Sequence, residues 1–195
     1  FQYLAQLEKH PEFNNYLALI FCSMKSEPEA LRWKAGLKLR NNINNEYDNI
    51  SPAVRELVKQ QVLGTIGVEH LPLRNTAGAI LSKLAEKSQL EGWGPTLQSL
   101  TQMLDSSNPH VLDGAFSCLA QICEDCTQGE TAVVQRLVAL DDEKLGRPLN
   151  FMVPKFIKFC RHQTEAIRKH ALTCLDMLIW GMPVAMQTNM DEFLK

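Results

Sequence analysis

The sequence predicts an all-α fold, a right-handed α-solenoid of stacked antiparallel helix pairs. Three observations predict it. Apolar residues recur at spacings of three and four along the chain, the period of a helix with one buried face. Strand signals are missing: no segment sustains apolar–polar alternation, and no Asn-Gly turn joins two such segments. One pattern also repeats at intervals of about 40 residues.

The periodicity places helices over about 12–24, 28–46, 52–67, 70–87, 94–105, 109–126, 148–161 and 164–180, with a last one from about 183. Several starts are marked. Ser51-Pro52 puts a capping hydroxyl before a proline at the first helical position. Gly94-Pro95 and Asn108-Pro109 do the same less cleanly. Residues 127–147 break the rhythm with Thr, Gly, a short apolar run and then Asp141-Asp142-Glu143. They read as a longer inter-repeat insertion, with room for a short helix.

The repeat is carried by ALRWKAGLKLRNNI from Ala30, PLRNTAGAILSKLA from Pro72, HVLDGAFSCLAQIC from His110 and EAIRKHALTCLDML from Glu165. They align on Ala35, Ala77, Ala115 and Ala171, each followed four residues on by a leucine: Leu39, Leu81, Leu119 and Leu175. Arg32, Arg74 and Arg168 stand three residues before three of the alanines. Met24, Ile66, Leu104 and Cys160, eleven before them, end the preceding helices. The alanines lie 42, 38 and 56 residues apart, and the last interval contains the insertion. Two helices per unit of about 40 residues is the HEAT or armadillo signature. A short side chain lets the helices of a pair approach, and the leucine one turn on fills the layer beside it. No single pair can bury both faces, so pairs must stack.

The alignment sorts the second helices into faces. Ala35, Leu39 and Ile43, then Ala77, Leu81 and Ala85, then Ala115, Leu119 and Cys123 are expected inside. A second stripe holds Trp33, Arg40, Asn41 and Asn44; then Asn75, Ser82, Lys83 and Glu86; then Asp113, Gln121 and Glu124, with Asp125 beside it. Second helices line the inner wall of such solenoids, which makes this stripe the candidate binding surface. It reads equally as an ordinary solvated face. Trp33 is either an exposed anchor or a side chain packed on the neighbouring unit.

Composition excludes several classes. The 195 residues can bury a sizeable core, and 45% are hydrophobic, so the chain is not disordered. Charged residues make up 22% with a net charge of −2, without the basic surplus of a nucleic-acid binder. No apolar run reaches the length of a membrane span, and no signal peptide is present. The chain opens at Phe1 inside an apolar-periodic segment, as expected for part of a longer protein.

Cys22, Cys118, Cys123, Cys160 and Cys174 sit in apolar runs, as reduced buried cysteines of a cytosolic or nuclear protein do. Cys123 and Cys126 form a CxxC with no second ligand pair at zinc spacing. They are read as two helix residues three apart, and no metal or cofactor is expected. Nor is catalysis expected. There is no GxxxxGK[ST] or GxSxG. Of His10, His70, His110, His162 and His170, four lie near helix boundaries, where capping or dipole complementation is the simpler role. Asp141 and Asp142 lie in a polar loop.

The run HPEFNNYLALIFCSMKSEPEALRWKAGLKLRNNI (10–43) resembles the start of the importin-β superfamily, whose second repeat ends in a helix with a leucine–basic–asparagine signature. Here that signature is Leu39-Arg40-Asn41. PEFNNYL (11–17), GAFSCLAQICEDC (114–126) and RPLNFMVPKFIKFCRH (147–162) narrow the resemblance to its transportin (karyopherin-β2) branch. It covers the whole chain. It implies HEAT repeats at 10–46, 51–87, 94–126 and 148–180, with the end of a first repeat at 1–9, the insertion at 127–147 and the start of a sixth repeat at 183–195. It implies a nuclear import receptor that shuttles between cytoplasm and nucleus, binds Ran-GTP through the second helices of its amino-terminal repeats, and touches phenylalanine–glycine (FG) nucleoporins through its outer helices. Cargo bearing a proline–tyrosine nuclear localisation signal (PY-NLS) would bind mostly through carboxy-terminal repeats outside this chain. Arg40, Asn41 and Asn44 fall on the signature helix, and Glu124 and Asp125 match an acidic end that would face basic residues of Ran. A generic HEAT scaffold, of the phosphatase or condensin type, explains the repeat equally well but not the ordered transportin-like runs.

Overall fold

The computed structural model describes residues 6–8, 10–127 and 140–194. Its helices are α1 (Phe13–Cys22), α2 (Glu29–Glu46), α3 (Pro52–Leu63), α4 (Leu71–Lys87), α5 (Gly94–Met103), α6 (Pro109–Thr127), α7 (Leu149–Phe159), α8 (Glu165–Ile179), α9 (Val184–Thr188) and α10 (Met190–Phe193). Short 3-10 turns occur at Tyr47–Asn49 and Glu143–Leu145, and no strand occurs among the described residues. The Ser51 hydroxyl accepts from the Val54 amide at 3.4 Å ahead of Pro52. Asn108 accepts from the His110 amide at 2.9 Å. Both satisfy amides that the first helical turn leaves open.

The insertion read over 127–147 lies largely outside the described residues; its described end is the turn at 143–145. The expected last helix is two short ones, parted at Asn189 (φ −105, ψ 12). The side chains of Thr188 and Asn189 bond back to the carbonyls of Val184 and Ala185, both at 2.8 Å. Such back-bonding competes with continued helix.

α1 packs on α2, α3 on α4, α5 on α6 and α7 on α8, and short connections make each an antiparallel hairpin. The second helices α2, α4, α6 and α8 form one continuous row, each packed against the next. First helices meet closely where α1 packs on α3, and less closely from α3 to α5 and from α5 to α7. The closely packed row is therefore the inner side of the stack. This is the HEAT solenoid.

The core follows the repeat. Ala77, Ala115 and Ala171 are fully buried, Ala35 nearly so, and the four leucines one turn on are sealed. Ile66 and Leu104 are buried at the equivalent ends of their units, whereas Met24 is exposed. Close approach is most demanding at Gly114: a Cβ there would lie 2.0 Å from the carbonyl oxygen of Ile66. Only glycine lets α6 come this near the turn after α3.

Candidate inner-face interface

The repeated arginines fasten each unit internally. Arg32 donates through Nε to the Phe21 carbonyl at 3.1 Å. Arg74 donates through Nη1 to the carbonyls of Val68 and Glu69 at 2.7 and 2.9 Å. Arg168 donates through Nη1 to His162 and Gln163 at 2.8 and 2.9 Å. The Phe21 carbonyl lies in the last turn of α1 and the other four in the turn before the second helix, where intrahelical partners have run out.

The stripe predicted for the inner face is open on α2. Trp33, Arg40, Asn41 and Asn44 are all exposed. Trp33 is 39% exposed, yet its indole N–H donates to Thr76 Oγ1 on α4 at 3.1 Å. The tryptophan therefore packs on the next unit and is still partly exposed. The side chain is pre-positioned rather than free.

From α4 onward the stripe turns into a seam. Asn75 is exposed, but Ser82 is fully buried and its hydroxyl donates to Asp125 Oδ2 at 2.6 Å. Lys83 and Glu86 are half-buried and pair with each other. Gln121 donates to both the carbonyl and the hydroxyl of Ser117 at 3.2 Å. Asp113 receives Arg74 at 3.0 Å on one oxygen, and His170 Nε2 lies 3.6 Å from the other. The His170 bond and then the Arg74 guanidinium hold the Asp113 carboxyl below its ordinary range, against the effect of burial. Glu124 and Asp125 are half-buried. One-helix alignment missed this closure because it depends on how successive pairs are set against each other. A small residue at Ser82, five residues after the alanine, was the available signal.

Among the described residues, no group of three or more His, Cys, Asp or Glu could hold a metal ion. No helix there is long and apolar enough to cross a membrane. Cys118, Cys123 and Cys174 are fully buried, and Cys22 and Cys160 are half-buried. Burial pushes the Cys22 thiol up to about 11 and also raises Cys118 and Cys174. The side chain of Cys126 lies outside those described. His10 and His162 accept backbone amides through Nδ1, both at 3.1 Å, as boundary residues do.

A stack of helix pairs with a polar inner face and buried, inert thiols is a protein-binding scaffold. Residues 2–68 match the family model described as the importin-beta N-terminal domain. The chain belongs to the importin-β superfamily, whose proteins are non-enzymatic scaffolds. Within it, transportin-1 of Mus musculus is 35% identical over 194 residues, covering 100% of this chain and 20% of the relative. The chain thus spans about a fifth of the length of that relative. The fold is shared with a chain of the Kap95:Nup1 complex, with a TM-score of 0.70 at 16% identity, covering 96% of this chain and 23% of that one. It is also shared with a structure in which Kap95p binding switches the loops of RanGDP to the GTP-bound conformation. There the TM-score is 0.56 at 16% identity, over 97% of this chain and 27% of the other.

Proposed function

We propose that this chain is the Ran-GTP-binding region of a transportin-type nuclear import receptor. The observation that carries the reading is the continuous inner row of second helices, open at α2, where Trp33, Arg40, Asn41 and Asn44 stand exposed together. Superfamily membership supports a role in nuclear transport, and a fold neighbour that holds Ran in its GTP-bound loop conformation supports the partner. The primary contact is placed on α2, and Asn75, Lys83, Glu86, Asp113, Gln121, Glu124 and Asp125 extend it along the row. Of these, Asp113 and Asp125 also bond across successive units and help hold them in register, with the half-buried acids adding an orienting field.

In this reading the chain divides into HEAT repeats at 10–46, 51–87, 94–126 and 148–180, flanked by parts of a first and a sixth. Ran-GTP binding releases cargo in the nucleus, and the receptor shuttles between nucleus and cytoplasm. FG nucleoporins engage outer helices, as a fold neighbour found with Nup1 supports. PY-NLS cargo engages repeats beyond this chain. Calorimetric titration with Ran in each nucleotide state tests the proposal.

A further inference from the structure

The turn between α4 and α5 forms one wall of a half-open cleft of about 380 Å³, and the start of α3 forms another. Gln89 and Leu90 in that turn stand at φ 51 and 64, a backbone region that residues other than glycine rarely adopt. Leu90 is buried and anchors the turn from within. Lys59 Nζ, 3.4 Å from the Gly92 carbonyl oxygen, ties it to α3. Residues in such a conformation persist only where their surroundings fix them, so this wall is preformed.

Arg55 on α3 lines the cleft as well. Its Nε donates to the Ile50 carbonyl at 2.8 Å, and its guanidinium lies over the Tyr47 ring, 4.1 Å from the centroid. These contacts hold the fork in place without supplying an acid. Among the described residues no carboxylate lies within 4.0 Å of Arg55, nor of Lys87, which lines the same cleft from the end of α4. Lys59, by contrast, is matched by Glu56 at 2.6 Å. Glu91 also lines the cleft, with no cation within 4.0 Å among the described residues. The unmatched charges are therefore those of Arg55 and Lys87 against that of Glu91.

We propose that this cleft binds a side-chain carboxylate from an acidic segment of a partner protein. Arg55 receives the carboxylate on its open Nη groups, and Lys87 adds the second positive charge. One carboxylate brings the unmatched charges to neutrality. A phosphate dianion leaves an excess negative charge beside Glu91, so the charge balance selects a carboxylate over a phosphoryl group. None of the lining residues belongs to the inner stripe, so the inference stands apart from Ran binding.

Phenylglyoxal labelling of arginines in the full polypeptide, read by mass spectrometry at constant ionic strength, tests this. An acetylated pentaglutamate peptide should slow labelling of Arg55 about fivefold and leave Arg161, exposed after α7, unaffected. Pentaglutamine and inorganic phosphate should each slow it less than about twofold. Lys87→Gln should remove most of the pentaglutamate effect, and Glu91→Gln should let phosphate protect Arg55 as well as the peptide does. Labelling of Arg55 that the peptide leaves unchanged, or slows equally at Arg161, overturns the proposal. Equal protection by phosphate in the unsubstituted chain overturns the choice of a carboxylate.

Discussion

Arg74 and Asp113 join two successive helix pairs through a single oxygen: Nε and Nη2 of the arginine both lie 3.0 Å from Oδ2. The same guanidinium holds the turn after α3 through Nη1, and the Asp113 side chain also faces His170 on α8. One carboxylate on α6 therefore faces side chains of two other second helices, Arg74 on α4 and His170 on α8. The Arg74 side chain is only 8% exposed, so its charge has little access to water.

Removing that carboxylate should be costly. Asp113→Ala leaves a mostly buried guanidinium without its acid, and the expected loss is about 2–4 kcal/mol, below the full cost for a deep pair because Asp113 keeps some solvent contact. Urea denaturation checks it, and Asp113→Asn should lose less because the amide oxygen can still accept.

Acid should loosen the same junction. The native Asp113 carboxyl is held low, so its contribution is complete above the unfolded value of about 3.9 and fades as pH falls through the lower native one. Unfolding free energy measured from pH 5 to pH 2 should fall more steeply in the native chain than in Asp113→Asn.

Gly114→Ala should destabilise by about 2–3 kcal/mol or more, because the new methyl meets a backbone carbonyl that cannot swing aside. Thermal unfolding reads this. Gly92→Ala is a useful contrast, since a Cβ there meets nothing within 4 Å and only its positive φ of 71 opposes the change.

The α2 surface and the α6 acids should separate in their effects. Arg40→Glu should weaken Ran binding about tenfold or more with little change in melting temperature, because Arg40 is exposed. Asp125→Lys should lower stability as well, since it breaks the bond from buried Ser82. Charge reversal at Glu124 and Asp125 should matter more at low salt, with screening over about 8–10 Å at physiological strength.

Much of the fold was legible in sequence because its signals are local. Ser51-Pro52 marks the start of α3, and the Ala77–Leu81 spacing alone sorts α4 into inside and outside. The repeat also identified the right helices for the inner row. What it did not reveal lies between units. The Ser82–Asp125 bond spans 43 residues and depends on the setting of α4 against α6. The roles of Arg74 and Arg168 were hidden for a similar reason: a recurring arginine shows that something is held, but the carbonyls it holds are backbone groups without sequence identity. The break at Asn189 came from side chains competing for two carbonyls, which apolar periodicity does not register.

Titration calorimetry with Ran addresses the functional reading most directly. Ran loaded with GTP should bind this chain, and Ran loaded with GDP should bind far more weakly or not at all. Equal binding of the two forms, or binding of neither, would contradict the assignment of the α2 face to Ran-GTP.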